Sequence, residues 1–175
     1  MILNKIRNVI KYQLVKDKIS AYKNIDGWLT NYEALGLYSY ASKLPVKSVI
    51  VEIGSWKGKS TYCLAKGLKS GKIYAIDPFD ASGEAESAVA YNEKRGEQSL
   101  YEQFQSNMDR LGVSSVVTPM KGFSSDFVGK FPAIDLLFID GDHSIQGCDF
   151  DYTNYSLHLK IGGYIAFHDY DVNRN

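Results

Sequence analysis

Long apolar runs are missing from this chain. No stretch approaches the roughly 20 residues that a membrane-spanning helix needs, so no span is expected. Charges interrupt the apolar positions at the N-terminus throughout, a pattern that excludes a secretory signal peptide. An excess of either sign of charge is also missing. The 20 Lys and Arg residues balance 20 Asp and Glu residues, so no global field points to nucleic acid or an acidic surface. Cysteine is scarce. Cys63 and Cys148 are spaced neither as a metal-ligand pair nor as a redox CxxC, and two reduced thiols packed in the core of a cytoplasmic protein are expected. Repeats and low-complexity stretches are absent as well.

What is there fits one soluble globular domain. The 175 residues are 45% hydrophobic and 23% charged, enough to bury a single sizeable core. The charge is uneven: Lys5, Arg7, Lys11, Lys16, Lys18 and Lys23 face a single acid, Asp17, in the first 24 residues. Ile2, Ile6, Val9, Ile10 and Leu14 recur near helical spacing over residues 1–19. That pattern predicts a helix packed on the domain or on a second copy of the chain, with a membrane-surface or partner-binding helix as the alternative. Thr30-Asn31-Tyr32-Glu33 reads as a capping box. It predicts a helix to about Ser42, stopped by Pro45.

Beyond Pro45 strands alternate with helices. Strands are expected at Ser48–Ile53, Lys72–Ile76, Val116–Met120, Ile134–Ile139 and Tyr164–Phe167. Helices are expected at Lys59–Leu68, Ser99–Leu111 and Ile145–Leu157. Residues 80–98 are polar, with Gly83 and Gly96, and carry no strong period, so they read as a loop with one helical turn. Gly162-Gly163 reads as the turn into the last strand. Alternation of this kind predicts a doubly wound, Rossmann-like α/β fold with a mostly parallel sheet. The nearly unbroken apolar strands imply that helices cover both faces.

In such a sheet ligands bind beyond the carboxyl ends of the strands. Glu52 lies at the end of the first strand, and Gly54, Ser55, Gly58 and Ser60 follow in a glycine loop that feeds a helix N-terminus suited to an anionic group. Its glycines are four residues apart, so it is neither a dinucleotide fingerprint nor a P-loop. After the second strand comes Asp77, 25 residues beyond Glu52, placed to accept both hydroxyls of a ribose. The fourth strand runs into Asp140-Gly141-Asp142-His143 and the fifth into His168-Asp169. If these strands are neighbours, Asp140, His168 and Asp169 converge on one point. Oxygen ligands with a histidine suit Mg²⁺ or another divalent cation.

Four segments together resemble the class I S-adenosylmethionine-dependent methyltransferases. They are Glu-Ile-Gly-Ser-Trp-Lys-Gly-Lys-Ser-Thr (52–61), Ala-Ile-Asp-Pro-Phe (75–79), Leu-Phe-Ile-Asp-Gly-Asp-His (137–143) and Gly-Gly-Tyr-Ile-Ala-Phe-His-Asp-Tyr (162–170). The closer likeness is to the small bacterial group related to macrocin and catechol O-methyltransferases, which Gly-Trp-Leu-Thr (27–30) also fits. The resemblance implies an N-terminal helical segment over 1–45 and an S-adenosylmethionine-binding α/β domain over 46–175, forming one compact unit. Glu52, Gly54, Ser55 and Gly58 then line the methionine part of the cofactor, with Ser60 beside them. Asp77 holds the ribose, Pro78 and Phe79 flank the adenine, and Gly122, Phe123 and Ser124 lie near its edge.

By the same resemblance Asp140 borders the cofactor and joins His168 and Asp169 as a metal ligand, while His143 is the general base for a hydroxyl on a small molecule or sugar. There are departures. Catechol-type enzymes carry an acid and an amide where this chain has His168-Asp169, and the macrocin type carries two acids. The family fold also finishes with a sixth and a seventh strand, whereas this chain reaches Asn175 just after its fifth. An open sheet edge is then expected, and it or the N-terminal helices could pair with another copy. Substrate contacts are expected from residues 80–98 and the N-terminal helices. Two other readings stand beside methyl transfer: a truncated or non-catalytic cofactor-binding domain, and a nicotinamide-dependent oxidoreductase.

Overall fold

The computed structural model describes residues 13–82, 88–131 and 133–169. Helical backbone over 13–19 (α1) runs into a 3-10 turn, Ser20–Asn24. Then follow α2 (Asn31–Lys43), β1 (Ser48–Ile53), α3 (Lys59–Gly67), β2 (Gly71–Asp77), α4 (Ala88–Arg95) and α5 (Leu100–Arg110). The chain continues with β3 (Val117–Lys121), β4 (Ile134–Ile139), α6 (Ile145–Ser156) and β5 (Leu159–Phe167). The five strands form one sheet in the order β3-β2-β1-β4-β5, and every pairing is parallel. β1 is the centre, and the strand order reverses direction between β1 and β4. The doubly wound α/β architecture expected from the sequence is therefore present.

Side chains alternate across each strand, so one strand feeds two cores. Ile50, Ile73, Leu136 and Phe138 point to a core shared with Ile19, Tyr22, Ala34, Leu37, Leu64 and Phe104. Val51, Ile53, Leu137 and Ile139 point to the other, with Phe131 and Tyr155. The first core includes residues from α1, α2, α3 and α5, so the N-terminal segment is built into the same interior as the sheet. Leu14 stays exposed, and the remaining apolar positions of the expected first helix lie outside the described residues. Cys63 is buried in α3, where desolvation pushes its thiol pKa up. Cys148 is only half-buried in α6, so only one of the two thiols belongs to the core.

Local chemistry fixes the element ends. Thr30 caps α2 through a complete capping box: its hydroxyl accepts the Glu33 N–H, and the Glu33 carboxylate accepts the Thr30 N–H at 2.6 Å. α2 packs closely on α3 because Gly67 has no side chain; a Cβ there would lie 2.4 Å from the Tyr38 carbonyl oxygen. Glu52 alternates onto the same face as Ile50 and is fully buried. Its carboxylate accepts the hydroxyls of Ser60, at 2.5 Å, and Thr61. It thus ties β1 to the first turn of α3.

Two expectations are corrected. Residues 80–98 contain a two-turn helix, α4, rather than loop. Tertiary contact stabilises it, because Tyr91 packs its ring on Trp28 and Trp56 at 5.2 and 5.4 Å, which a local period does not reveal. Gly162-Gly163 lies inside β5, not before it. Between the pairs Ile134↔Leu159 and Leu136↔Tyr164 the register slips, and a bulge absorbs the extra residues. Gly162 takes φ +83 there. Lys160, in the same bulge, reaches back 2.8 Å to the buried Asp135, whose carboxylate also accepts the Val49 N–H.

Two substitution sets test this packing. Gly36→Ala, in α2 with open space around it, should raise stability in urea titrations by roughly 0.5–1 kcal/mol. Gly67→Ala should lower it by roughly 1–3 kcal/mol; equal effects would refute the α2–α3 close approach. Burial pushes the Glu52 carboxyl from 4.5 up to about 7, against the opposing pull of the Ser60 and Thr61 hydroxyls. The folded chain then holds a proton that the unfolded chain releases. This contribution is complete below pH 4.5 and lost as pH rises through 7, about 3 kcal/mol in all. Glu52→Gln cannot titrate, so its stability should fall less than wild type's across that window.

Candidate active site

The glycine loop after β1 is shaped by contacts that leave no room for side chains. Gly54 has φ +86, and a Cβ on it would lie 1.9 Å from the Asp140 carbonyl oxygen. Its N–H donates to the Ile76 carbonyl at 2.9 Å, while the Asp140 N–H donates to the Ile53 carbonyl at 2.8 Å. The ends of β1, β2 and β4 are thus joined backbone to backbone. Gly58, the N-cap of α3, has φ +87 and no room for a side chain beside Met108 and Phe104. No side chain caps α3 there, which leaves its first N–H groups turned toward the loop.

Asp77 closes β2 and is buried. Its two oxygens accept the backbone N–H groups of Trp56 at 2.7 Å and Phe79 at 2.6 Å. Burial raises its pKa, and those two N–H groups pull it down. Trp56 and Phe79 both take left-handed backbone, φ 47 and 55, which aims their N–H groups at the carboxylate. Phe79 packs its ring on Tyr101 and Phe104, while Pro78 is half-buried. The Gly122 N–H donates to the Asp77 carbonyl at 3.0 Å, bringing the β3 loop alongside. In that loop Phe123 is exposed, and the Ser124 carbonyl accepts the Tyr155 hydroxyl at 2.6 Å. Ser55 and Ser60 are buried. Ser60 turns its hydroxyl to Glu52, so these two expected cofactor residues are occupied with one another.

The β4 and β5 ends are neighbours and their polar residues meet. Nδ1 of His168 lies 3.0 Å from Asp140 and 3.3 Å from Asp169, and its Nε2 lies 3.6 Å from Glu33. The His168 side chain is 7% exposed. Asp140 raises this imidazole from 6.5 to about 9, with Asp169 and Glu33 adding to it against burial. His143 stands beside the group, its Nε2 3.8 Å from Asp140 and its Nδ1 3.5 Å from Asp169. Asp169 reaches this position from a left-handed backbone, φ 53, a conformation an Asp tolerates better than most residues.

The set offers carboxylate oxygens and one imidazole. A metal ligates the neutral imidazole, whereas Asp140, Asp169 and Glu33 favour the protonated form of His168. Among the described residues no group of three or more His, Cys, Asp or Glu is disposed to hold a metal ion. No described helix is long and apolar enough to cross a membrane.

Three residues near the site carried no functional signal in the sequence. Glu33 looked like a helix cap, yet it also faces His168. Lys57 is buried and donates to Asp26 at 3.3 Å and to the Lys94 carbonyl, pinning the glycine loop to both the N-terminal segment and α4. Asp151 is buried in α6, with Oδ1 lacking a hydrogen-bond partner. Contacts this distant in sequence leave no local pattern.

Known proteins bear on this arrangement. The uncharacterized protein R132 of Acanthamoeba polyphaga mimivirus is 29% identical over 121 residues, or 69% of this chain and 50% of that protein. The chain therefore spans about half the length of that relative. An O-methyltransferase from Bacillus cereus, solved in complex with SAH, superposes with a TM-score of 0.61 at 19% identity, covering 88% of this chain and 63% of its own. The O-methyltransferase TomG of Streptomyces achromogenes, solved with SAM, gives 0.61 at 17% over 87% and 63%. The precorrin 8w decarboxylase of Methanobacterium thermoautotrophicum gives 0.59 at 22% over 86% and 68%. Identities this low establish a shared fold, and a fold hosts more than one chemistry. The family model described as a methyltransferase domain matches residues 51–170, from inside β1 to beyond β5, and the chain belongs to that family.

Proposed function

We propose that this chain binds S-adenosylmethionine across the carboxyl ends of β1, β2 and β3 and methylates a hydroxyl brought against His143. The observation that carries the reading is the pairing of two features at the point where strand order reverses. One is the side-chain-free loop at Gly54 and Gly58 with Asp77 fixed beside it. The other is the His143–Asp140–Asp169 group on the adjoining strand ends. The open N-terminus of α3 suits a carboxylate, and a buried acid at the end of β2 suits a diol. Both groups occur in S-adenosylmethionine, which supplies a methyl group on a sulfonium centre.

The protein's part is then binding, alignment and proton removal. A hydroxyl is a poor nucleophile until its proton leaves, and an imidazole is a suitable acceptor near neutral pH. His143 takes that proton as the oxygen–methyl bond forms and the sulfonium–methyl bond breaks, leaving a thioether. Asp140 and Asp169 stabilise the resulting imidazolium from two sides. The proposed step uses no divalent cation, and the two carboxylates act on His143 directly. Residues from α4 and the N-terminal segment, which cover the loop, are the proposed acceptor wall.

Calorimetry with S-adenosylhomocysteine should show micromolar binding, and NAD should show none; the reverse would sink the reading in favour of an oxidoreductase. Asp77→Asn should weaken the homocysteine compound at least roughly tenfold. Methyl-labelled S-adenosylmethionine and a panel of phenolic, sugar and aliphatic hydroxyls would identify the acceptor. On that acceptor His143→Ala should lower kcat by roughly a hundredfold or more with cofactor affinity nearly intact. Parallel losses in both would make His143 structural instead. EDTA should leave turnover unchanged.

A further inference from the structure

Glu33 belongs to the capping box of α2, and the same carboxylate has a second neighbour. Its Oε2 accepts the Thr30 N–H at 2.6 Å while lying 3.6 Å from Nε2 of His168. That distance is too long for a hydrogen bond and short enough for a charge contact. The cap removes the freedom that an exposed glutamate normally has, so the charge is held in place before any ligand arrives. His168 has little contact with water, and its two ring nitrogens face carboxylates on three different elements. On the far side Asp140 lies between His168 and His143, at 3.0 Å from one ring and 3.8 Å from the other. A continuous series therefore runs from the first turn of α2 to the candidate base.

We infer that Glu33 is a positioning residue for His143, acting through the His168 ring and the Asp140 carboxylate. The inference rests on the reading of His143 as the base. It assigns to the N-terminal segment a part in the chemistry beyond covering the site. Removing the Glu33 charge frees the His168 ring to turn, and Asp140 then follows it, away from the orientation that supports His143. The simpler alternative is that Glu33 only caps α2.

One substitution separates the two. Glutamine completes a capping box as glutamate does, so Glu33→Gln keeps the cap and removes the charge. Thr30→Ala does the opposite. The chain has three histidines, so their Cε1–Hε1 signals in carbon–proton NMR can be assigned by substitution. Glu33→Gln should shift the His168 and His143 signals, leave His158 unmoved, and keep the melting temperature and S-adenosylhomocysteine affinity of wild type. On an acceptor from the panel its kcat should fall roughly tenfold without a change in KM for S-adenosylmethionine. Thr30→Ala should melt lower and leave the two histidine signals in place. An unmoved His168 signal in Glu33→Gln, or wild-type kcat, would overturn the inference. Failure of wild type to bind S-adenosylhomocysteine would defeat the methyltransferase reading instead, and the NMR comparison would still decide what Glu33 does.

Discussion

The contact between Gly54 and the backbone of Asp140 governs this molecule. Where β1 ends, its loop passes so close to the end of β4 that even a methyl group would collide with the Asp140 carbonyl. The approach is possible because the two strands are parallel neighbours whose chains leave in opposite directions, which is where an open α/β sheet forms its crevice. Everything at the site is measured from this point. It sets Asp140 within reach of His143 and His168. It also turns Trp56 so that its N–H meets Asp77 across the β1–β2 boundary. The left-handed residues around it, Trp56, Phe79 and Asp169, are the local cost of bringing three strand ends together.

The sheet was legible because its strands obey local rules. Ser48–Ile53 and Ile134–Ile139 are short apolar runs bounded by turn residues, and both match the structure to the residue. The α2 start was legible because a capping box is written in four consecutive residues. The rest depended on partners distant in the chain. α4 has no apolar period, and its helix is held by Trp28 and Trp56. The β5 bulge accompanies a contact of Lys160 with Asp135, while Tyr164 to Phe167 stay in register with β4. A pair of glycines announces an unusual backbone, but does not say whether it is a turn or a bulge.

The candidate site divides along the same line. The acids and histidines at strand ends could be found from position alone, since strand ends are where such residues gather. Their pairing could not. The sequence placed Asp140, His168 and Asp169 as equals around a cation. The structure sets His168 among acids, with Nδ1 toward Asp140 and Nε2 toward Glu33. The imidazolium supplies one positive charge among the carboxylates of Asp140, Asp169 and Glu33.

The glycine loop does not stand alone on the sheet. Lys57 reaches Asp26 and the Lys94 carbonyl, Lys59 donates to the Gly27 carbonyl at 2.7 Å, and Trp56 packs between Trp28 and Tyr91. Two residues of the loop and the first residue of α3 are therefore held by two segments, one before the sheet begins and one inserted after β2. A ligand that orders this loop must also favour the docked arrangement of those segments, and the reverse holds by linkage. On the proposed reading, cofactor binding at the loop and the position of the acceptor wall are coupled through Trp56 and Lys57. The sheet supplies the crevice, and on the proposed reading the segments that cover it form the wall facing the acceptor.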